Sequence, residues 1–286
     1  MERVGFIGLG IMGKPMAHHL IKAGYPLTVL SSSKAADELS LAGATLVQHP
    51  KELTASSDVI ITMLPDSPEV EEIMFGANGV FEGMTEGKLF IDMSTISPGS
   101  STMIFQRLAE KNVEALDAPV SGGQVGAESA SLSIMVGGNT AAFSRALPLF
   151  QAMGKNIVLI GAAGSGQITK ACNQMIVGMT IQAVAEAFAL AKEAGVDLEK
   201  MREVLLGGFA QSKILDLHGK RMLEGNFKPG FKVRLHKKDL DIATKTAQDL
   251  GVVVKGTEQV AEQMAKAVAV GNGELDHSSL FLLLEK

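Results

Sequence analysis

The chain has 286 residues, 46% hydrophobic and 20% charged, with a formal net charge of −5 and a pI near 5.7. That balance describes a globular protein with a large core, in one large or two modest domains. It excludes nucleic acid as the main partner, because phosphate backbones call for a basic surface, and leaves room only for a local basic pocket.

One cysteine, Cys172, excludes an intramolecular disulfide and fits a reducing compartment. The opening MERVGFIGLG has no basic segment leading into a long apolar one, so a cytoplasmic location is expected. The most membrane-like run, 171–191, contains Asn173, Gln174, Gln182 and Glu186 and reads as a buried helix, with no membrane partner. The histidines and the cysteine show no metal-ligand spacing, so no metal is expected.

In chain order, apolar runs at 4–7, 27–30, 59–63, 89–91 and 113–116 read as strands, with helical spacing between them at 12–22 and 100–111. A later strand pair, 131–136 and 156–160, brackets a helix at 141–153. This alternation implies parallel βαβ units with helices on both faces of a sheet. Beyond Gly166 the strand signals almost disappear. Helix-like runs follow at 166–194, 197–206, 210–223, 237–250, 255–271 and 276–285. The expected organisation is an α/β domain over 1–162 and an all-α domain over 163–286, with the boundary in the glycine cluster at 161–166.

Three groups of residues carry chemistry. The first is Gly8-x-Gly10-x-x-Gly13, directly after a strand and at the start of a helix. Gly8 permits the tight turn, Gly10 lets a pyrophosphate approach the backbone, and Gly13 lets helix and strand pack closely. Leu9, Ile11 and Met12 complete that cofactor loop, and the helix N-terminus offers free N–H groups. At the end of the second strand an acidic residue would favour NAD. Here Ser31, Ser32, Ser33 and Lys34 stand instead, with neither a carboxylate to repel a 2′-phosphate nor an arginine to clamp it. The balance leans slightly to NADP(H), with NAD(H) or dual use open.

The second is Ser121-Gly122-Gly123, whose N–H groups and hydroxyl form a plausible carboxylate cradle, or else an ordinary loop. The third is Lys170 with Asn173, three apart and therefore on one helix face. The helix start and burial both act to lower a lysine pKa there, which suits proton transfer to a substrate oxygen. The cations at 228–238 read as a solvated face unless an anion sits nearby. His236 reads as structural or surface rather than catalytic. Asp276, His277 and Ser278 are adjacent in sequence, which is not triad geometry.

Taken together, GFIGLGIMGKPMAHHL, DAPVSGG, GSGQITKACNQ and KDLDIA resemble, in order and spacing, the motifs of the β-hydroxyacid dehydrogenase family over essentially the whole chain. His19 stands where that family usually has asparagine. The resemblance implies a Rossmann-like N-terminal domain, a long interdomain helix and a helical C-terminal domain, assembled as a homodimer or homotetramer. It implies that Lys170 is the catalytic proton donor, that Ser121, Gly122 and Gly123 hold a substrate carboxylate, and that Asn173 orients the substrate. Lys238 would close the site beside cofactor and substrate, Leu64, Pro65 and Thr95 would line the cofactor, and Phe231 would wall the substrate side. Further segments, among them FKPGFKVRLHKKDL and LDHSSL, imply reduction of a small anionic aldehyde acid, tartronate semialdehyde, to D-glycerate with NAD(P)H. The alternatives are 3-hydroxyisobutyrate or a short semialdehyde as substrate, and, from another class, a non-catalytic nucleotide-binding protein.

Overall fold

Strands that are apolar at every position need cover on both faces, and the first half of the chain supplies it. The computed structural model describes residues 1–284, which divide into two units, 1–170 and a second beginning at Ala171. In the first, β1 (Val4–Ile7), β2 (Leu27–Leu30), β3 (Thr45–Val47), β4 (Val59–Thr62), β5 (Leu89–Asp92) and β6 (Glu114–Asp117) pair in the parallel order β3-β2-β1-β4-β5-β6. β1, β2, β4 and β5 are buried throughout. Helices α1 (Gly13–Lys22), α2 (Ala36–Leu41), α3 (Pro50–Ala55), α4 (Ser67–Phe75), α5 (Val80–Gly83) and α6 (Pro98–Ala109) connect these strands. Separate apolar cores lie on the two faces of the sheet, one containing Phe6, Met16 and Leu20, the other Leu53, Ile60 and Phe90.

The sheet then departs from the all-parallel expectation. After β6 the chain turns through Ala118-Pro119 into the two-residue β7 (Val120–Ser121), too short a link for a parallel crossover. Next come α7 (Gly123–Glu128) and β8 (Leu132–Gly138), which runs antiparallel to both β6 and β7. A true βαβ unit follows, through α8 (Thr140–Met153) to β9 (Gly154–Gly161), parallel to β8.

Helix α9 (Ser165–Glu193) runs on into the second unit, which is built from α10 (Leu198–Leu206), α11 (Lys213–Leu223), α12 (Val233–Asp249), α13 (Lys255–Ala269) and 3-10 turns at Asn272–Glu274 and His277–Leu283. By length and composition α9 is apolar enough to cross a membrane. Within this unit it buries Ile181, Val184, Ala185 and Phe188 against Leu215, Met222, Leu240 and Met264, and it exposes Ile176 and Leu190. Two expectations need correction. α12 begins at Val233, not 237, because Val233, His236 and Leu240 form its buried stripe, while Lys237 pairs with Asp241 on the wet side. The run at 276–285 is a 3-10 turn rather than an α-helix, and its last residue lies outside the described residues.

Asp276 organises this end of the unit. One carboxylate oxygen accepts the N–H groups of Gly230 (2.9 Å) and Phe231 (3.1 Å); the other accepts from the Ser278 N–H (3.1 Å) and hydroxyl (2.7 Å). His218 and Arg221 stand 3.4 and 3.5 Å away. Burial opposes ionisation, yet His218, His277, Ser278 and the Phe231 N–H hold this carboxyl well below the usual range. His277 bridges onward, with Nδ1 2.9 Å from His236 Nδ1 and Nε2 3.3 Å from His218 Nε2. Burial, then the neighbouring histidines, push His277 far below its ordinary pKa, so it is neutral. These are groups that could ligate a metal, brought together across long stretches of chain. Because Asp276 is already saturated with donors and lies beside Arg221, they form an ion-pair and hydrogen-bond network.

Removing a buried, fully bonded carboxylate orphans its donors. Asp276→Ala is therefore expected to cost about 3–5 kcal/mol in urea unfolding. A depressed folded pKa means the contribution is present above the unfolded value of 3.8 and is lost as pH falls from there through the lower folded value. A loss below about 1 kcal/mol at neutral pH would refute the assignment.

Candidate active site

The switch in strand order between β1 and β4 opens a crevice at their carboxyl ends, where ligands of such sheets bind. The loop Gly8–Gly13 leaves β1 there, and Met63, Leu64 and Pro65 leave β4. The three glycines differ in the way their expected roles require. Gly8 has φ 102°, and a Cβ on it would lie 2.2 Å from the Met63 carbonyl oxygen. A Cβ on Gly13 would lie 1.8 Å from the Gly8 carbonyl oxygen, so α1 can start against the strand only without a side chain. A Cβ on Gly10 would meet no atom within 4 Å, which leaves the space above it open to a ligand. Leu9 and Met12 pack on the core and Ile11 is exposed.

At the end of β2, Ser31, Ser32 and Lys34 are exposed and Ser33 is half-buried. The nearby Glu38 is engaged by Lys14 (3.2 Å) and His18 (3.0 Å), bonds that hold its carboxyl below the usual range. The adjacent His19 faces elsewhere, onto the carbonyl oxygens of Ala127 and Glu128.

The carboxyl ends of β4, β5 and β6 bring Thr62, Asp92 and Asp117 into register. Asp92 Oδ1 accepts from the Thr62 hydroxyl (2.8 Å) and the Ser94 N–H (3.0 Å), while Oδ2 has no hydrogen-bond partner among the described residues. Burial pushes this carboxyl up to about 6, against the bonds from Ser94 and Thr62. The Ser94 hydroxyl accepts the Leu64 N–H at 2.9 Å, fixing the turn after β4.

Asp117 does a different job. Its two oxygens accept the N–H groups of Gly164 and Gln167, each at 2.8 Å, and so cap the start of α9. The Gln167 side chain donates to the Ser94 carbonyl oxygen (2.8 Å) and accepts from the Ile96 N–H (3.2 Å), which clamps the strand end bearing Thr95 to the same helix. Lys170, buried to 7% exposure, follows on α9. Ser121 ends β7, and Gly122 and Gly123 have φ 135° and 60°, left-handed values that favour glycine and turn successive N–H groups outward.

In the second unit, Asn173 Nδ2 donates to Gln174 Oε1 (2.8 Å), Gln174 Nε2 donates to Asp239 Oδ2 (2.6 Å), and Lys238 Nζ lies 2.9 Å from Asp239 Oδ1. Phe231 packs its ring on those of His236 and His277 at 5.7 and 5.5 Å. Asp92, Asp117, Gln167, Gln174 and Asp239 were not singled out from the sequence. One signal pointed to Asp117: the first turn of α9 carries no acidic residue, so its cap had to come from afar.

The Asp92 geometry predicts a pH effect. Its folded pKa is raised, so its contribution to stability is fullest below the unfolded value of 3.8 and is lost as pH rises through about 6. Asp92→Asn removes that loss. Its melting temperature relative to wild type should rise between about pH 4.5 and about pH 7.5, by the equivalent of roughly 2–3 kcal/mol. A pH-independent difference would show that Asp92 titrates normally.

Residues 3–161 match the family described as the NAD binding domain of 6-phosphogluconate dehydrogenase. Residues 164–284 match the family described as NAD-binding of NADP-dependent 3-hydroxyisobutyrate dehydrogenase. The chain is 46% identical to the 2-hydroxy-3-oxopropionate reductase of Escherichia coli strain K12, over 99% of this chain and 97% of that one. It is 36% identical to mouse mitochondrial 3-hydroxyisobutyrate dehydrogenase, over 99% of this chain and 87% of that one. The solved structure of Mycobacterium tuberculosis 3-hydroxyisobutyrate dehydrogenase with L-serine matches with a TM-score of 0.91 at 32% identity, covering 100% of both chains. The sheet order, the glycine turn and these likenesses converge: the chain belongs to the 3-hydroxyisobutyrate dehydrogenase-like family of NAD(P)-dependent oxidoreductases.

Proposed function

We propose that this protein reversibly reduces tartronate semialdehyde (2-hydroxy-3-oxopropanoate) to D-glycerate with NAD(P)H. The observation that carries the reading is the 46% identity, over almost the full length, to a 2-hydroxy-3-oxopropionate reductase. The open space over Gly10 fits a pyrophosphate, with Leu9, Ile11 and Met12 around it and Leu64, Pro65 and Thr95 lining the nicotinamide side. Bound there, the cofactor supplies the hydride. Ser31, Ser32 and Lys34 offer hydroxyls and a cation to a 2′-phosphate, and His18 and Lys14 offset the charge of Glu38, which favours NADP(H) while admitting NAD(H).

The chain's own residues do the rest. The N–H groups of Gly122 and Gly123, with the Ser121 hydroxyl, hold the substrate carboxylate. Lys170 gives a proton to the carbonyl oxygen as the carbon is reduced, and takes it back in the reverse direction. Asn173 orients the substrate, Lys238 supplies a second cation for the anionic ligand, and Phe231 limits its apolar side. Ile176, Met179 and Leu190, exposed along α9, support a homodimer or homotetramer. A reaction on a small soluble acid suits a cytoplasmic enzyme.

Initial rates with tartronate semialdehyde, using NADPH and NADH separately, test the reading. Rapid reduction supports it, and the ratio of efficiencies reports how the serine turn treats the 2′-phosphate. Faster turnover of 3-hydroxyisobutyrate or of succinic semialdehyde would reassign the substrate, and cofactor binding without turnover of any of them would indicate a non-catalytic protein. Lys170→Ala should lower kcat by about 10²–10⁴-fold with cofactor affinity retained; near-full activity would remove it from proton transfer. Gly10→Ala should fold normally, since its Cβ meets nothing within 4 Å, yet weaken NADPH binding in a fluorescence titration by about tenfold or more. Unchanged affinity would place the pyrophosphate elsewhere.

A further inference from the structure

The polar contacts from Lys238 to Asn173, one ion pair and two hydrogen bonds, have a polarity that is fixed from one end. A carboxylate only accepts. Asp239 therefore receives the Lys238 ammonium on Oδ1 and must receive a donor from Gln174 on Oδ2. That forces the Gln174 amide to present Nε2 to Asp239 and Oε1 to Asn173. An amide oxygen also only accepts, so Asn173 must offer Nδ2 to it, and does so at 2.8 Å. The amide of Asn173 is thus not free to flip. Its oxygen Oδ1, on the other side of the amide, is the atom Gln174 does not use.

The support for this arrangement is buried. Gln174 and Asp239 are 4% and 2% exposed, whereas Asn173 is only half-buried. The backbone is tied as well, since His236 Nε2, one turn before Asp239 on α12, donates to the Gln174 carbonyl oxygen at 3.1 Å. Two helices are therefore held together by groups whose combined effect is to present one hydrogen-bond acceptor.

An acceptor needs a donor on its ligand. In a 2-hydroxy-3-oxo acid the carboxylate and the aldehyde oxygen only accept, so the hydroxyl on C2 is the one donor. We propose that Gln174 and Asp239 are positioning residues that lock Asn173 as an acceptor for the C2 hydroxyl, and that this lock favours 2-hydroxy aldehyde acids over analogues with a methyl group at C2. The proposal rests on the reading of Asn173 as a substrate-binding residue. A methyl group in that place leaves the acceptor unpaired in a closed site, a penalty that discriminates strongly between otherwise similar ligands.

The test compares kcat/KM for tartronate semialdehyde and methylmalonate semialdehyde, with saturating NADPH, in the wild-type enzyme and in Gln174→Met, which keeps the side-chain length but breaks both bonds. Wild type should prefer the hydroxyl substrate by about tenfold or more, and Gln174→Met should shrink that preference by a similar factor with KM for NADPH unchanged. Asp239→Asn has one acceptor for two donors and satisfies Lys238 by turning its own NH2 toward Gln174, which reverses the series; it should shrink the preference as well, and serves if Gln174→Met does not fold. Equal losses on both substrates would mean a merely structural role and overturn the proposal, as would a wild type without preference. Asn173→Ala separates the two levels of failure. If Asn173→Ala lowers activity while Gln174→Met keeps the wild-type preference, the lock alone is wrong; if Asn173→Ala leaves the kinetics unchanged, the lock and the underlying site reading both fall.

Discussion

In the first unit, the places of Gln167 and Lys170 depend on where α9 starts, and Asp117 sets that point. Its carboxylate is fully buried at the end of β6 and accepts N–H groups at the helix start, which would otherwise be orphaned. The charge also complements the positive end of the helix. Burial lifts the Asp117 pKa, and the N–H groups of Gly164 and Gln167 oppose the lift. The fit leaves no slack: a Cβ on Gly137 would lie 2.3 Å from Asp117 Oδ1, and one on Gly166 2.8 Å from Oδ2. With the start pinned, Gln167 and Lys170 fall on successive turns. The first ties Ser94 and Ile96 to the helix, and the second reaches its buried place five residues beyond the first helical residue.

Asp92 is the counterpart that lacks such donors. The two carboxylates stand in register on neighbouring strands, yet one accepts from the start of a helix and the other keeps an oxygen without a partner. Burial raises both carboxyls, and the charge of Asp117 adds the smallest push on Asp92, which has fewer donors to oppose the rise.

How much of this was legible depends on how local the cause is. The roles of Gly8, Gly10 and Gly13 could be read directly, because a turn and its steric demands lie within six residues. Strands β1 and β2 were equally plain, as continuous apolar runs bounded by glycine or polar turns. β3 and β7 were not, since three or two residues leave no periodicity to detect. The start of α12 was hidden by its cations, which read as a solvated face, although Val233 and His236 among them are buried. The partners of Asp117 lie 47 and 50 residues away, and those of His277 41 and 59, and no local pattern encodes such distances. Lys170 and Asn173 were found because one helix face carries both; Gln174 and Asp239 escaped because neighbours of an obvious motif look like filler.

The two units hold their candidate site residues by different means, and the difference bears on what each can specify. In the first, the candidate groups are mostly backbone N–H, set by glycines: Gly8 and Gly13 have no room for a Cβ against main chain, and Gly122 and Gly123 hold left-handed φ values. Such a cradle recognises a pyrophosphate or a carboxylate whatever else the ligand carries. In the second, the groups are side chains whose orientation is imposed by other side chains, from Lys238 through Asp239 and Gln174 to Asn173. Changing one member of that series alters the chemistry presented without disturbing a backbone turn. On the proposed reading, anion binding would be a fixed property of the backbone turns in the sheet unit, and the choice among similar small acids would fall to the helical unit, through the orientation of a single amide.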